Sequence, residues 1–177
     1  MSGSTVPAYV DTRKVFQQDA KISGNVALDR LPRFRDLLAD EQADIQIDLD
    51  FVLNSAGRKL ISGHLRAEVD VQCQRCLEAV RITLDDEVRL ALVRDEAEAG
   101  RLEEDLDPWL SEDYKLDLAQ LVEEQLILCM PIVSYHADAS CQNALGYQIP
   151  AGPVDTEPEG EVAENPFAVL EKLKKKD

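Results

Sequence analysis

The clearest regularity in the chain is a strict alternation of apolar and polar residues from Ala43 to Leu53. One face of this stretch is entirely apolar, while Gln46, Asp48 and Asp50 occupy the other face. Because successive side chains of a strand point to opposite faces, the pattern predicts a half-buried β-strand. Its apolar face consists of Ile45, Ile47, Leu49, Phe51 and Leu53.

A second strand follows after a turn. Residues 54–57 read Asn-Ser-Ala-Gly, a composition typical of turns, and the alternation resumes between Lys59 and Val71. The pair Ser62-Gly63 interrupts the apolar face, and we expect an irregularity of the strand there. The two strands together predict a hairpin.

A third run of alternation leads from Val80 to Leu92 and is interrupted only by Asp86. The three runs predict an antiparallel meander over residues 43–93. The motif Cys73-Gln74-Arg75-Cys76 falls between the second and third runs. We therefore expect this CxxC motif in a turn that joins two antiparallel strands.

Two segments show helical spacing instead. Residues 29–39 place apolar side chains three and four apart behind Asp29, a plausible N-cap. Residues 117–130 begin with Asp117, have Gln120 as a capping-box partner and end before Pro131. Helices near 30–39 and 117–130 that cover a mainly antiparallel sheet define an α+β fold. The acidic stretch 95–107 is expected to be an exposed loop.

The C-terminal part changes in composition. Residues 1–149 are expected to form a single α+β domain containing the CxxC turn, and residues 150–164 hold three prolines and five acids without a base. Such a segment buries too little apolar area to order itself, which predicts a flexible acidic linker. Residues 165–177 then begin with Asn-Pro and end in lysines, as a short docking helix would. Its expected partner-binding anchors are Phe167, Val169, Leu170 and Leu173.

The overall charge narrows the classes of partner. A formal net charge of -16 disfavours extensive binding to the phosphate backbone of nucleic acids and favours a basic partner. Direct RNA binding through the tail lysines, or through the cluster Arg30, Arg33 and Arg35, is the weaker alternative. The chain has neither a membrane-length apolar stretch nor a signal-peptide pattern at its N-terminus, so we expect a cytoplasmic protein.

The four cysteines are too few and too irregular for a disulfide scaffold, which favours thiols or thiolate ligands. A CxxC turn between strands presents two thiolates together, and His136 and Cys141 are the candidates to complete a Cys3His zinc site with Cys73 and Cys76. The alternative is that the cysteines simply pack in a turn while His136 lies exposed in a loop. Redox catalysis is disfavoured because the motif follows a strand and not the start of a helix.

The remaining reactive side chains give no active-site pattern. Cys129 lies in an apolar run and is expected to be a small buried side chain, while His64 is expected at the surface. Glu123 and Glu124 are read as a solvated helix face. No phosphate-binding loop or metalloprotease motif is present, so the protein is not expected to be an enzyme.

Three segments together suggest a family. In order, VQCQRCLEAV, EEQLILCMPIVSYH and NPFAVLEKLKKK resemble the YceD family, the large ribosomal RNA subunit accumulation proteins of bacteria and plastids. The resemblance implies a role in the accumulation of 23S-type ribosomal RNA and no established catalytic reaction. The N-terminus lacks the composition of a transit peptide, which favours the bacterial branch. Some members of the family carry a fuller cysteine cluster, whereas here no cysteine follows Cys141.

The resemblance implies a non-enzymatic ribosome biogenesis factor, and the acidic composition is compatible with one that acts through protein or ribonucleoprotein contacts. Its expected partners are ribosome assembly intermediates or a basic ribosomal protein, with neither a membrane nor a small-molecule substrate. The alternative is a zinc- or thiol-dependent regulatory protein that affects ribosomal RNA indirectly.

Overall fold

The centre of the structure, a computed structural model that describes residues 6–111, 113–141 and 146, is a five-stranded sheet. Its strands, in spatial order, are β2 (Lys21–Asn25), β3 (Ala43–Leu53), β4 (Lys59–Gln72), β5 (Ala79–Val93) and β6 (Asp107–Leu110). The pairs from β2 to β5 are antiparallel, and β6 pairs with β5 in parallel. The predicted α+β class and its antiparallel meander are confirmed.

Smaller elements surround this sheet. A two-stranded antiparallel ribbon pairs β1 (Tyr9–Asp11) with β7 (Lys115–Asp117). The helices are α1 (Thr12–Gln17), α2 (Pro32–Arg35), α3 (Glu96–Ala99) and α4 (Leu118–Cys129). All of these elements belong to a compact unit that spans residues 1–145. The predicted linker 150–164 and docking helix 165–177, with its four apolar anchors, lie outside the described residues and stay predictions.

The alternation in the sequence determines which sheet face is buried. In β3 the side chains of Ile45, Leu49 and Phe51 are buried, whereas Asp44 and Asp48 are exposed on the opposite face. The same parity holds in β4 and β5. The sheet therefore has one apolar face inside the core and one polar face that is open to solvent.

The predicted irregularity at Ser62-Gly63 was wrong. Pairing runs without interruption through Gly63, which faces Leu49 on one side and Val88 on the other. A Cβ atom at Gly63 would lie 2.0 Å from the carbonyl oxygen of Asp48. Glycine is needed here because the neighbouring backbone approaches too closely for a side chain.

Helix α4 covers the apolar face much as its sequence predicts. Asp117 is the N-cap, and its carboxylate accepts hydrogen bonds from the backbone N–H groups of Ala119 and Gln120. The side chain of Gln120 donates to Glu124 instead of closing a capping box. The helix ends at Cys129, two residues before Pro131. Its buried apolar residues are Leu118, Leu121, Val122 and Leu126.

The continuous helix predicted over residues 29–39 was wrong. A 3-10 turn at Leu28–Arg30 and the four-residue helix α2 occupy this stretch, and Asp29 lies within the turn. Pro32 lacks an N–H and restricts the residue before it, so a helix cannot run through this point. Leu31 and Phe34 are nevertheless fully buried, as their spacing suggested.

Several short elements had no signal in the sequence pattern. The acidic stretch 95–107 contains helix α3, whose N-cap Asp95 accepts a hydrogen bond from the N–H of Glu98. Near the N-terminus, Phe16 of α1 packs edge-on against Phe51 of β3, with ring centroids 5.6 Å apart. Among the described residues, no helix is long and apolar enough to cross a membrane.

Candidate metal centre

The CxxC motif forms the tight turn between β4 and β5, as predicted. The N–H of Leu77 donates to the carbonyl of Cys73, and the N–H of Cys73 donates to the carbonyl of Glu78. This geometry requires a left-handed backbone at Leu77, with φ at 65°. For a leucine that conformation costs about 1–2 kcal/mol, which glycine would avoid.

The loop after α4 is attached to this turn by its backbone. The N–H of Gln74 donates to the carbonyl of Ser134 at 3.0 Å, and its side-chain amide reaches the carbonyl of Ile132 at 3.4 Å. The guanidinium of Arg75 donates to the carbonyl of His136 and lies 4.8 Å from the ring centroid of Tyr135. The turn and the loop are thus connected by polar contacts that do not involve a sulfur atom.

These contacts bring the four predicted ligands together. The ligand atoms of Cys73, Cys76, His136 and Cys141 all lie within 4.8 Å of one another. The Sγ of Cys76 is 3.3 Å from Nδ1 of His136. Both cysteines of the turn are buried, and the other two residues are partly buried. The arrangement is a Cys3His cluster that could hold a metal ion.

His136 is oriented as a ligand would be. Its Nε2 atom lies 3.0 Å from the carbonyl oxygen of Ala79. Because a carbonyl oxygen only accepts, Nε2 donates to it, and in the neutral imidazole the lone pair of Nδ1 is then directed at the cluster. A hydrogen bond of this kind on the distal ring nitrogen is usual for histidines that bind metal. Nothing in the sequence marks the carbonyl of Ala79 for this role.

The electrostatic environment favours a thiolate at Cys73. Burial alone would raise its pKa, but backbone N–H groups of Cys76, Arg75 and His136 point at the sulfur and lower its pKa to about 5. The pKa of Cys141 is raised, first by burial and then by the neighbouring sulfur atoms of Cys76 and Cys73. Three thiolates this close repel one another, so either some of the sulfurs are protonated or a bound cation compensates their charge.

The donor set and spacing fit zinc. Three sulfurs and one imidazole nitrogen are a usual tetrahedral set, with bonds of about 2.3 Å to sulfur and about 2.0 Å to nitrogen. Bonds of these lengths place neighbouring ligand atoms about 3.5–3.8 Å apart; here Cys76 and His136 are 3.3 Å apart, and all four ligand atoms lie within 4.8 Å of one another. All four ligands of such a set come from this chain, as in structural and not catalytic zinc sites.

Other candidate residues lie outside this cluster. Cys129 is only partly buried against the core and does not join the four ligands. Burial raises the pKa of its thiol. His64 is exposed at the surface, 3.3 Å from Asp85 across the strand pair.

The reading of Glu123 as part of a solvated helix face was wrong. Its carboxylate is buried and accepts hydrogen bonds from the N–H of Arg33 at 2.7 Å, from Nε of Arg33 at 2.8 Å and from the N–H of Phe34 at 3.2 Å. Arg30 is also engaged, through the carbonyls of Val6 and Pro7. Arg30 and Arg33, two of the three clustered arginines, therefore form hydrogen bonds within the folded chain.

The fold and the cluster together define a small α+β protein with a candidate Cys3His metal centre at one end of a mainly antiparallel sheet. Residues 61–174 match the model of the family described as large ribosomal RNA subunit accumulation protein YceD. The chain is also 31% identical over 174 residues to the large ribosomal RNA subunit accumulation protein YceD of Haemophilus influenzae, which covers 97% of each sequence. The chain belongs to the YceD family. No solved structure matches it.

Proposed function

We propose that this protein is a non-enzymatic factor of ribosome biogenesis that is needed for the accumulation of 23S-type ribosomal RNA in the bacterial cytoplasm. The observation that carries the proposal is the match over nearly the whole chain to a protein named for accumulation of the large ribosomal RNA subunit.

We further propose that zinc binds Cys73, Cys76, His136 and Cys141 and has a structural role. A zinc ion supplies positive charge that replaces the protons of three neighbouring thiols. The CxxC turn would supply two of the sulfur ligands, and the carbonyl of Ala79 would orient the imidazole of His136 through its hydrogen bond to Nε2. Metal binding would lock the loop after α4 to the end of the sheet.

The proposed partners are assembly intermediates or a basic ribosomal protein. The net charge of -16 supports a cationic partner. Sequence-specific recognition of single-stranded RNA on a sheet uses aromatic side chains that stack on bases. The open face of β3, β4 and β5 instead carries acids such as Asp44, Asp48 and Glu68, and no Phe, Tyr or Trp lies within these three strands apart from the buried Phe51. The predicted tail anchors Phe167, Val169, Leu170 and Leu173 would add apolar contacts.

The test is deletion of the gene in the bacterium that encodes the protein. We expect a lower ratio of 23S to 16S ribosomal RNA and fewer large subunits in sucrose gradients, with both restored by the wild-type gene. The matched variants are Cys73→Ser, which removes a zinc ligand, and Cys129→Ser, which removes a cysteine outside the cluster. An unchanged ratio after deletion would refute the proposed function.

The alternative, a zinc- or thiol-dependent regulator with an indirect effect, is favoured by one observation. The pKa of Cys73 is lowered to about 5, so a metal-free form would hold a thiolate at this position. Graded loss of ribosomal RNA as zinc is withdrawn, without any association with assembly intermediates, would support this alternative. Stable association with those intermediates under zinc-replete conditions would support the direct role.

A further inference from the structure

Apolar side chains are exposed on both segments that build the metal centre. Leu77 of the CxxC turn is 59% exposed, and Ile132 and Val133 of the attached loop are 95% and 51% exposed. Tyr135 is also partly exposed beside them in the loop. We call these four residues, Leu77, Ile132, Val133 and Tyr135, the knuckle patch.

Leucine at position 77 has no explanation in the fold. Its backbone is left-handed, a conformation in which glycine is free of strain and leucine is not. Its side chain is mostly in solvent, so the core does not require it. A large apolar side chain that faces water from a strained backbone position is typical of a residue that contacts a partner.

The patch is held rigidly. Gln74 donates to the carbonyls of both Ser134 and Ile132, which fixes the loop against the turn. Arg75 contacts the ring of Tyr135 and the carbonyl of His136. A backbone that is already ordered loses little conformational entropy on binding, which favours affinity.

The charged residues near the knuckle patch are mainly acidic, which favours a cationic partner. Glu78 follows Leu77 directly, and Asp138 lies in the attached loop, where its carboxylate accepts hydrogen bonds from the backbone N–H and the hydroxyl of Ser140. Arg75 is already engaged, and residues 130–141 include no lysine or arginine. A zinc ion with three thiolates and a neutral imidazole would add a single net negative charge.

We propose that the knuckle patch docks a cationic protein segment, in which an apolar side chain packs against Leu77 and Ile132 while lysines or arginines face Glu78 and Asp138. This inference rests on the proposed function, which identifies large-subunit ribosomal proteins as the class in which to seek the partner. A second copy of the chain fits less well because two chains of charge -16 repel each other. RNA fits less well for the same reason.

The experiment titrates the zinc-loaded full-length protein with large-subunit ribosomal proteins, each purified free of RNA, and measures affinity by fluorescence anisotropy. The variants are Leu77→Gly and Ile132→Ser. The matched control is Leu53→Ser, an exposed leucine at the end of β3 that lies next to the β3–β4 turn, at the opposite end of the sheet. Zinc content and melting temperature are measured for every variant.

We expect at least one strongly cationic protein to bind. Each patch variant should weaken this binding at least about tenfold, as for residues at the centre of an interface. Leu77→Gly should keep its zinc and melt within about 3 °C of the wild type, because relief of backbone strain offsets the greater freedom of glycine in the unfolded chain. The control should bind within about twofold of the wild type.

Three results would overturn the proposal. The first is that no protein of the set binds, and the second is that both patch variants bind as well as the wild type. The third is that Leu77→Gly abolishes self-association or binding of a ribosomal RNA fragment, which would assign the patch to a second copy or to RNA. The proposed function fails separately, when deletion of the gene leaves ribosomal RNA unchanged.

Discussion

The Nδ1 atom of His136 lies 3.3 Å from the Sγ atom of Cys76, although 60 residues separate the two in the chain. One residue lies in a turn of the sheet and the other in the loop that follows α4. Long-range closure of this kind costs chain entropy, and the proposed ion would offset that cost by bonding to both segments. The stability of this end of the molecule should therefore depend on metal.

Cys73→Ser is expected to abolish stoichiometric zinc binding and to lower the melting temperature. When free zinc exceeds its dissociation constant about 1,000-fold, binding stabilises the folded state by about 4 kcal/mol. For a chain of this size that corresponds to roughly 10 °C. Elemental analysis of the purified protein and calorimetry, with and without a chelator, measure the two effects.

The matched control for this prediction is Cys129→Ser, because Cys129 does not belong to the cluster. This variant should keep one zinc per chain and remain sensitive to the chelator. A wild-type protein purified without zinc from zinc-replete cells, and unable to bind added zinc, would contradict the prediction.

Glu123→Gln is expected to destabilise the protein by about 2–4 kcal/mol, because it removes the charge from a buried acceptor of three hydrogen bonds. These bonds connect α4 to the start of α2. Glu124→Gln is the control, since Glu124 is more exposed and contacts Arg33 only at 3.3 Å. Its cost should stay below about 1 kcal/mol. Urea denaturation measures the free energy of unfolding of both variants. Equal losses of stability would show that the buried hydrogen bonds of Glu123 do not stabilise the protein.

The contrast between these two glutamates shows how far the sequence could predict the fold. Strict alternation revealed β3, β4 and β5 because a half-buried strand must repeat every two residues. Glu123 and Glu124 both look like helix-surface acids, and only the position of Arg33, about 90 residues earlier, determines which one is buried. Strands of three to five residues, such as β1 and β2, are too short to show any period.

The candidate site was predictable to a similar degree. Ligand type and order predicted Cys73, Cys76, His136 and Cys141 as candidate ligands, since few residue types bind zinc, and the fold brings the four together. The carbonyl of Ala79 and the left-handed backbone of Leu77 could not be anticipated, because a backbone carbonyl has no residue signature and a leucine rarely adopts that conformation.

Gly63→Ala is expected to destabilise the protein by at least about 3 kcal/mol, because the new Cβ would lie 2.0 Å from the carbonyl oxygen of Asp48 in the paired strand. The strands would have to separate at the centre of the sheet. Gly57→Ala is the control: its φ is also positive, at 75°, but no atom lies within 4 Å of the added Cβ. That change should cost only about 1 kcal/mol. Similar urea midpoints for the two variants would contradict the steric explanation.

Asp70→Asn is expected to destabilise the protein at pH 7 but to have a smaller effect at pH 2.5. Asp70 forms a two-point ion pair with Arg81 on the neighbouring strand, and these hydrogen bonds lower its pKa below the ordinary value of 3.8. A carboxylate with a lowered folded-state pKa contributes stability above its unfolded-state pKa, and this contribution is lost as pH falls through the folded-state pKa. Urea midpoints of the wild type and the variant should therefore converge below about pH 4. Glu41→Gln, which removes one exposed charge, is measured at both pH values as the matched control. If the urea midpoints of the wild type and Asp70→Asn differed by the same amount at pH 7 and at pH 2.5, the ion pair with Arg81 would not be the cause of the destabilisation.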